Sequence, residues 1–335
     1  MEPNLAQVLF FQQIKALLPP NLSVVDEIAN VLDISTDSAY RRIRGEKPIS
    51  FDDLQKLSTQ YQISVDQALN VKSNSFIFSG SLGFQPNDFC TRYLNNMLQQ
   101  FEAMCSYELN HIYILSNDIA PFVYFQFPEL SALTFFYYQK SILHFEAFKE
   151  LKFSVNNLDP DLVKLGKKVQ KLFNQIPSTE IWSYETINSI LRHISFYSDT
   201  GVFNSKEDIA CIFDKLDELV THIEKQAELG LKFNYGELPS ENAAPFMLYN
   251  NNLITGDNCV LAELGHKKLT YINHNLINFM YTRDEAFNQY TFQTFKNAIS
   301  KSTQISLVSE KERAKFFAGI RKKIQAHKEM INHFW

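Results

Sequence analysis

Residues 35–47 read Ser-Thr-Asp-Ser-Ala-Tyr-Arg-Arg-Ile-Arg-Gly-Glu-Lys, and this stretch decides the fold of the first part of the chain. It is written as one short helix with a start and a stop. Ser35 is placed to be its N-cap, because the hydroxyl can accept an orphan N–H of the first turn. Asp37 follows at the positive helix end. Ala39 and Ile43 lie four apart and share one face, while Thr36, Asp37, Tyr40, Arg41 and Arg44 point mostly elsewhere. Gly45 ends the helix as a C′ residue does, and Pro48 prevents a restart. A helix so short and so polar is not stable alone. It needs helices beneath it, and it offers its outer face to a partner.

The flanking residues supply those helices. Residues 1–70 predict five in all. The first runs from about Leu5 to Leu17, with Leu5, Val8, Leu9, Ile14 and Leu17 as its core stripe. Pro19-Pro20 ends it. Ser23 caps the second, which reaches Leu32 and buries Val25, Ile28, Ala29 and Leu32. Asp33-Ile34 makes the turn into the Thr36 helix. Ser50 caps a fourth helix, with Asp53 at N3 in an approximate capping box and Leu54 and Leu57 facing the core. A fifth is expected around Val65 to Leu69. The expected domain is 1–71, followed by a linker or single strand at 72–84 around Phe76-Ile77-Phe78.

Beyond it the fold class is mainly α, with a central helical region at 85–239 and an α+β region at 240–335; the two are compatible with one sensor or dimerisation domain. In the first, helices are expected over Asp88–His111, within Pro121–Leu151 and from Pro160 to Phe173, where Pro160 is an N1 residue. Ile112–Leu115 reads as a last turn or a short strand. Ser178 is expected to open a helix carrying Ile181, Trp182, Ile187, Ile190, Leu191 and Ile194, and Ser205 another to about Leu231. In the second, short β-rich runs at Phe246–Tyr249, Leu253–Thr255, Cys259–Ala262 and Leu269–Ile272 alternate with turn residues, which predicts an antiparallel meander. A helix over Asp284–Ser300, a strand over Ile305–Val308 and a helix capped by Ser309 with Glu312 complete the chain.

Composition sets bounds on function. With 335 residues and a net charge of −5, the chain is no general polyanion binder, though a local basic patch is compatible with that sum. Cys90, Cys105, Cys211 and Cys259 are scattered without a CxxC pair, which reads as free thiols in a reducing compartment. The N-terminal residues lack a basic stretch followed by an apolar one, so no signal peptide is expected. The richest apolar run, Ile119–Phe136, is broken by Pro121, Gln126, Pro128 and Glu129 and is a poor membrane span. The expected location is cytoplasmic, with no membrane partner.

No catalytic residue, metal site or cofactor is predicted. Gly166-Lys167-Lys168 lacks the upstream glycine and the following hydroxyl of a phosphate loop. His193 sits among apolar neighbours as a core or helix-surface histidine does. His266 and His274 lack a third ligand. Trp182 reads as packing between helices or lining a pocket. The aromatic cluster of Phe122, Tyr124, Phe125, Phe127, Phe135, Phe136, Tyr137 and Tyr138 is the best candidate for a ligand or dimer surface, although core packing is the commoner fate. Lys311, Arg313, Lys315, Arg321, Lys322 and Lys323 make the last helix basic, which most often means a solvated face.

Residues 5–70 resemble the helix-turn-helix domains of the Cro/C1 repressor (XRE-like) group. The carriers are Leu22–Ser35, with Ala29 at the tight crossing of the scaffold helix, and Tyr40–Ser50 with its Arg44-Gly45 stop. The turn position usually held by glycine is Asp33, which tolerates a left-handed backbone. Ile43 lies four rather than three residues after Ala39, a second departure. The resemblance implies double-stranded DNA as partner, with Thr36, Asp37 and Arg41 at base edges and Tyr40 beside them. Arg42, Arg44 and Lys47 are then expected on phosphate, and Ser23 where the scaffold helix meets the backbone. Residues 1–70 hold six Lys/Arg against nine acids, but four of the six bases fall within 41–47. One such module reads a short half-site, so a homodimer is expected, with a small-molecule or protein effector acting on the remainder. Two functions follow: a sequence-specific transcription regulator, or a phage- or toxin-related enzyme or interaction protein whose helix-turn-helix serves autoregulation.

Overall fold

The computed structural model describes residues 5–18, 22–61, 63, 65, 76–80, 88–253, 258–274 and 277–334, the last three of these by backbone alone. The chain divides into two compact units, Met1–Ile77 and Phe78–Trp335.

In the first unit, α1 (Leu5–Leu17), α2 (Val24–Leu32), α3 (Thr36–Ile43) and α4 (Phe51–Tyr61) enclose a core of Phe10, Phe11, Ile14, Ile28, Ala29, Leu32, Ala39 and Leu57. The fifth expected helix, at Val65 to Leu69, lies outside the described residues except for Val65. The stripe of α1 differs from the expectation. Leu5 is 71% exposed and Leu17 40%, and the buried set is Gln7, Phe10, Phe11 and Ile14. This helix is apolar on two sides, so spacing alone admits two stripes; the phenylalanine rings, which bury more area, take the core.

The second unit is built on a seven-stranded mixed sheet. Its strands are β1 (Asn110–Leu115), β2 (Ser178–Trp182), β3 (Phe246–Asn250), β4 (Cys259–Leu264), β5 (Lys267–Asn273), β6 (Phe279–Thr282) and β7 (Thr303–Gln304). Their order is β6-β5-β4-β1-β2-β3-β7. β1, β2 and β3 are parallel neighbours; β4, β5 and β6 follow on the other side of β1 in antiparallel succession. Of the runs expected to form a meander, Cys259–Ala262 and Leu269–Ile272 pair antiparallel in β4 and β5, Phe246–Asn250 lies in the parallel part, and Leu253–Thr255 falls, beyond Leu253, outside the described residues; β6, which continues the antiparallel succession, was not among them. The structure also corrects the helical reading of 85–239, because that region supplies β1 and β2 at the centre of the sheet. Ser178 opens a strand, not a helix. All five residues of β2 are buried, Ser178, Thr179 and Glu180 included, so the strand lacks the apolar–polar alternation that marks a half-exposed one and Ser178 read as the start of a helix instead. Trp182 is 5% exposed within it.

The remaining helices are α5 (Phe89–Cys105), α6 (Pro121–Tyr124), α7 (Pro128–Tyr137), α8 (Pro160–Phe173), α9 (Asn188–Asp199), α10 (Lys206–Leu229), α11 (Glu285–Ser300) and α12 (Glu310–Phe334). Side-chain caps start several of them: Asp159 for α8, Ser205 for α10 and Asp284 for α11. The main core, on the face of Ile112, Ile114 and Leu248, joins most helices to the sheet. On the opposite face α11 covers Ile181 and Leu261 with Phe295 and Ala298. Ile305–Val308 is not the expected strand. Ile305 is fully buried and donates its N–H to Leu248 at 2.9 Å, but Leu307 and Ser309 take left-handed φ angles of 59° and 58°, which end the pairing. Ahead of the sheet, Ser79 exchanges two backbone hydrogen bonds with Tyr281 of β6, at 2.8 and 2.9 Å, so one residue of the expected linker strand pairs.

Candidate nucleic-acid interface

Three local devices present α3. First, Ser23 accepts the Asp26 N–H at 3.4 Å and starts α2. Asp33 then adopts φ 54°, ψ 53°, and the Ile34 N–H returns to the Ala29 carbonyl at 3.0 Å, a Schellman-type stop without glycine. Second, Ser35 accepts the Ser38 N–H at 3.3 Å. Ala39, fully buried, lets α3 sit close on the core. Third, Gly45 turns the chain at φ 73°, and the Glu46 N–H closes on Arg41 at 2.9 Å.

The segment after α3 is held by a residue that patterning did not single out. Gln7, 5% exposed on α1, donates from Nε2 to the carbonyls of Arg42 at 2.6 Å and Lys47 at 2.8 Å. Its Oε1 accepts the Ile49 N–H at 3.0 Å. One amide therefore satisfies three backbone groups of the turn. The available signal was a glutamine on the same helical face as Phe10, Phe11 and Ile14.

The structure separates the eight predicted residues. Thr36, Asp37, Tyr40 and Arg41 of α3 and Arg44 at its end are exposed, whereas Ala39 is buried. Among the described residues, the Arg41 guanidinium has no hydrogen-bond or ion-pair partner. Arg44 is partly engaged: it lies over the Tyr40 ring at 5.6 Å and 3.2 Å from Glu46. Lys47 is exposed and reaches the Ser38 hydroxyl at 3.4 Å. Ser23 is exposed at the start of α2. Arg42, by contrast, turns inward. Its side chain is 13% exposed and lies 3.3 Å from the Asp53 carboxylate. Asp53 also accepts the Ser50 N–H at 3.1 Å while Ser50 Oγ accepts the Asp53 N–H at 3.1 Å, so the capping box of α4 and the end of α3 are one assembly. Arg42 thereby ties elements together rather than joining the outward row.

The other candidates resolve as internal structure. Of the aromatic cluster all but Tyr137 are buried. Tyr137 stacks on His193 at 3.6 Å. Part of the basic stretch in α12 is likewise tied down: Arg313 donates to the Ile305 and Val308 carbonyls, Arg321 pairs with Glu224, and Lys323 lies 3.2 Å from Glu185. Two cavities flank the aromatic cluster. One, about 250 Å³, is bordered by Phe125, Phe135, Phe136 and Phe153; the other, about 70 Å³, lies beyond the carboxyl end of β1. No three His, Cys, Asp or Glu residues among those described are grouped to hold a metal ion, and no described helix is long and apolar enough to cross a membrane.

A scaffold helix, a tight turn and a second helix with its polar side outward define a DNA-binding module of helix-turn-helix type. The model of a family of that type, described as BetR domain, matches residues 12–121. The match begins within α1 and ends at the first residue of α6, so it takes in α5 and β1 as well as the module. No curated protein and no solved structure matches the chain.

Proposed function

We propose that the chain is a sequence-specific transcription regulator, without catalytic activity, in which a homodimer places two copies of α3 in successive major grooves. The observation that carries this reading is the outward row of Thr36, Asp37, Tyr40 and Arg41 on a helix seated by a buried alanine. In this reading the module is of the Cro/C1 kind. Arg41 takes a guanine edge, Thr36 a thymine methyl, and Asp37 a cytosine amino group. Arg44, Lys47 and Ser23 meet phosphate, and Arg42 acts through Asp53 by fixing the angle of α3. The second unit senses an effector and pairs the protomers. A signal that alters the spacing of the two recognition helices then alters affinity, because both half-sites must be engaged together.

Selection of binding sites from random duplex DNA, followed by mobility shifts, tests the reading. Arg41→Ala is expected to weaken the selected site by about 1–3 kcal/mol and relax preference at one position. Lys47→Ala is expected to weaken all sequences alike and lower the salt dependence by about one counterion. Enrichment of no sequence at low salt overturns the proposal.

A further inference from the structure

The smaller cavity has a chemistry that neither the core nor α3 uses. It lies where the chain leaves β1, the strand at which the sheet changes from parallel pairing with β2 to antiparallel pairing with β4. Crevices beyond the carboxyl ends of strands at such switch points are where open α/β sheets bind ligands. The first residues after β1 bring a carboxylate to the wall. The Ser189 and Asn258 side chains and the Arg192 charge beside Asp118 favour its carboxylate, but burial is the larger effect and pushes its pKa up. Asn258 Oδ1 in turn accepts the N–H groups of Asn117 at 2.8 Å and Asp118 at 3.0 Å, which fixes the acid in place.

Opposite it the wall is aromatic, with Phe122, Tyr124, Tyr137 and Phe279. Asn273 of β5 adds an amide oxygen that is buried and, among the described residues, accepts no hydrogen bond. The nearby bases do not fill the site. Burial lowers the pKa of His193 to about 4, so its ring is neutral at pH 7; Arg192 is exposed and acts on Asp118 through space. A carboxylate, aromatic faces and an unused acceptor together recognise a cation that carries N–H donors. A volume of about 70 Å³ is half the ~150 Å³ that accepts benzene, which limits the buried part to an ammonium and one or two carbons.

We propose that this pocket seats the primary ammonium head of a small organic cation, with Asp118 as its counter-ion, and that this cation is the effector of the regulator. The effector role rests on the DNA-binding reading above; the site does not. Its output is Ser79. Asn273 and Phe279, both in the pocket wall, are register partners in β5 and β6. Two residues further along β6, Tyr281 holds Ser79, and the Phe78 ring meets Phe287 edge-on at 5.2 Å. Occupancy of the pocket therefore bears on the strand that anchors the start of the second unit, directly after the DNA-facing unit in the chain.

Calorimetric titration of the full chain with ethylammonium chloride tests the site, with ethanol and sodium acetate as isosteric controls at matched ionic strength. Saturable binding of ethylammonium alone is expected, weakened at least tenfold in Asp118→Asn and in Asn273→Leu, each checked for native circular dichroism. Absence of saturable binding by the wild type, equal binding of ethanol, or unchanged binding in both folded variants overturns it. Since the wild type discriminates ethylammonium from ethanol by itself, a variant that fails to fold leaves the test intact. For the effector role, saturating ethylammonium should shift affinity for the selected DNA at least threefold relative to equal sodium chloride. An unchanged affinity overturns that role. Ethylammonium binding by a protein that selects no DNA sequence overturns the regulator reading while the site stands.

Discussion

Two arginines adjacent in sequence, Arg41 and Arg42, face opposite tasks. On a helix, neighbours point about 100° apart, so one side chain projects outward while the next reaches Asp53. Sequence alone showed four bases within seven residues but not which of them an internal acid had already claimed. Gln7 makes the same point more sharply. A glutamine on a core face reads as an interruption of the apolar stripe, yet it closes the turn after α3. Gln7→Leu leaves the Arg42 and Lys47 carbonyls and the Ile49 N–H without their partner, a cost of about 3 kcal/mol. Amide hydrogen exchange of the full chain should then quicken in residues 36–49, while exchange in β1–β4 stays at the wild-type rate. Equal protection of 36–49 in both proteins would show that the amide is dispensable.

At the scale of elements, starts and stops were readable where a side chain bonds its own backbone. Ser23, Ser35, Ser50 and Ser205 each cap the helix expected of them. Strand identity was readable only where one face meets water. β4 and β5 keep turn residues and mixed exposure around them, whereas β2 is buried along its whole length. The stop of α10 illustrates a second kind of element-level control. Gly230 has φ 65°, and a Cβ there would come within 2.4 Å of Leu307. That approach lets Leu307, itself left-handed, donate to the Ala227 carbonyl at 2.9 Å. Gly230→Ala is expected to destabilise the second unit by about 2–3 kcal/mol, from left-handed backbone and overpacking together. Urea denaturation followed by tryptophan fluorescence measures it, and a loss below 1 kcal/mol would show that Leu307 moves aside freely.

For the whole molecule, burial of ionisable groups sets the response to pH. Glu180 and Lys232 are each 3% exposed. Glu180 is held by Ser178 and Trp182, and Lys232 donates to the Phe173 and Ile176 carbonyls. Burial pushes the first pKa up and the second down to about 7. His222 gives the cleaner prediction. Burial lowers its pKa to about 4, and its neutral ring hydrogen-bonds the Phe233 carbonyl at 3.0 Å. Between its folded value and the ordinary 6.5, the unfolded chain binds the proton and the folded one does not, so stability falls as pH falls through this window. From pH 6.5 to 5 the loss from this residue is about 1.5 kcal/mol. Urea midpoints across that range should decline less in His222→Leu than in the wild type; parallel declines would assign the pH response elsewhere.

The sequence by itself determined what depends on neighbours a few positions apart: the serine caps, the left-handed Asp33 turn, the Gly45 stop, and so the outward row of α3. It also marked the helix-turn-helix module as one part of the chain with its own core. The tertiary structure decided what depends on residues distant in sequence. It made Ser178–Trp182 a central strand, turned Arg42 to Asp53, assigned Gln7 to the turn, and gathered Asp118, Asn258 and Asn273 around one cavity. The physical reason is that capping energies are local and carried by residue type, whereas burial on both faces erases the periodic signal and a buried polar group is defined only by the partner that the fold brings to it.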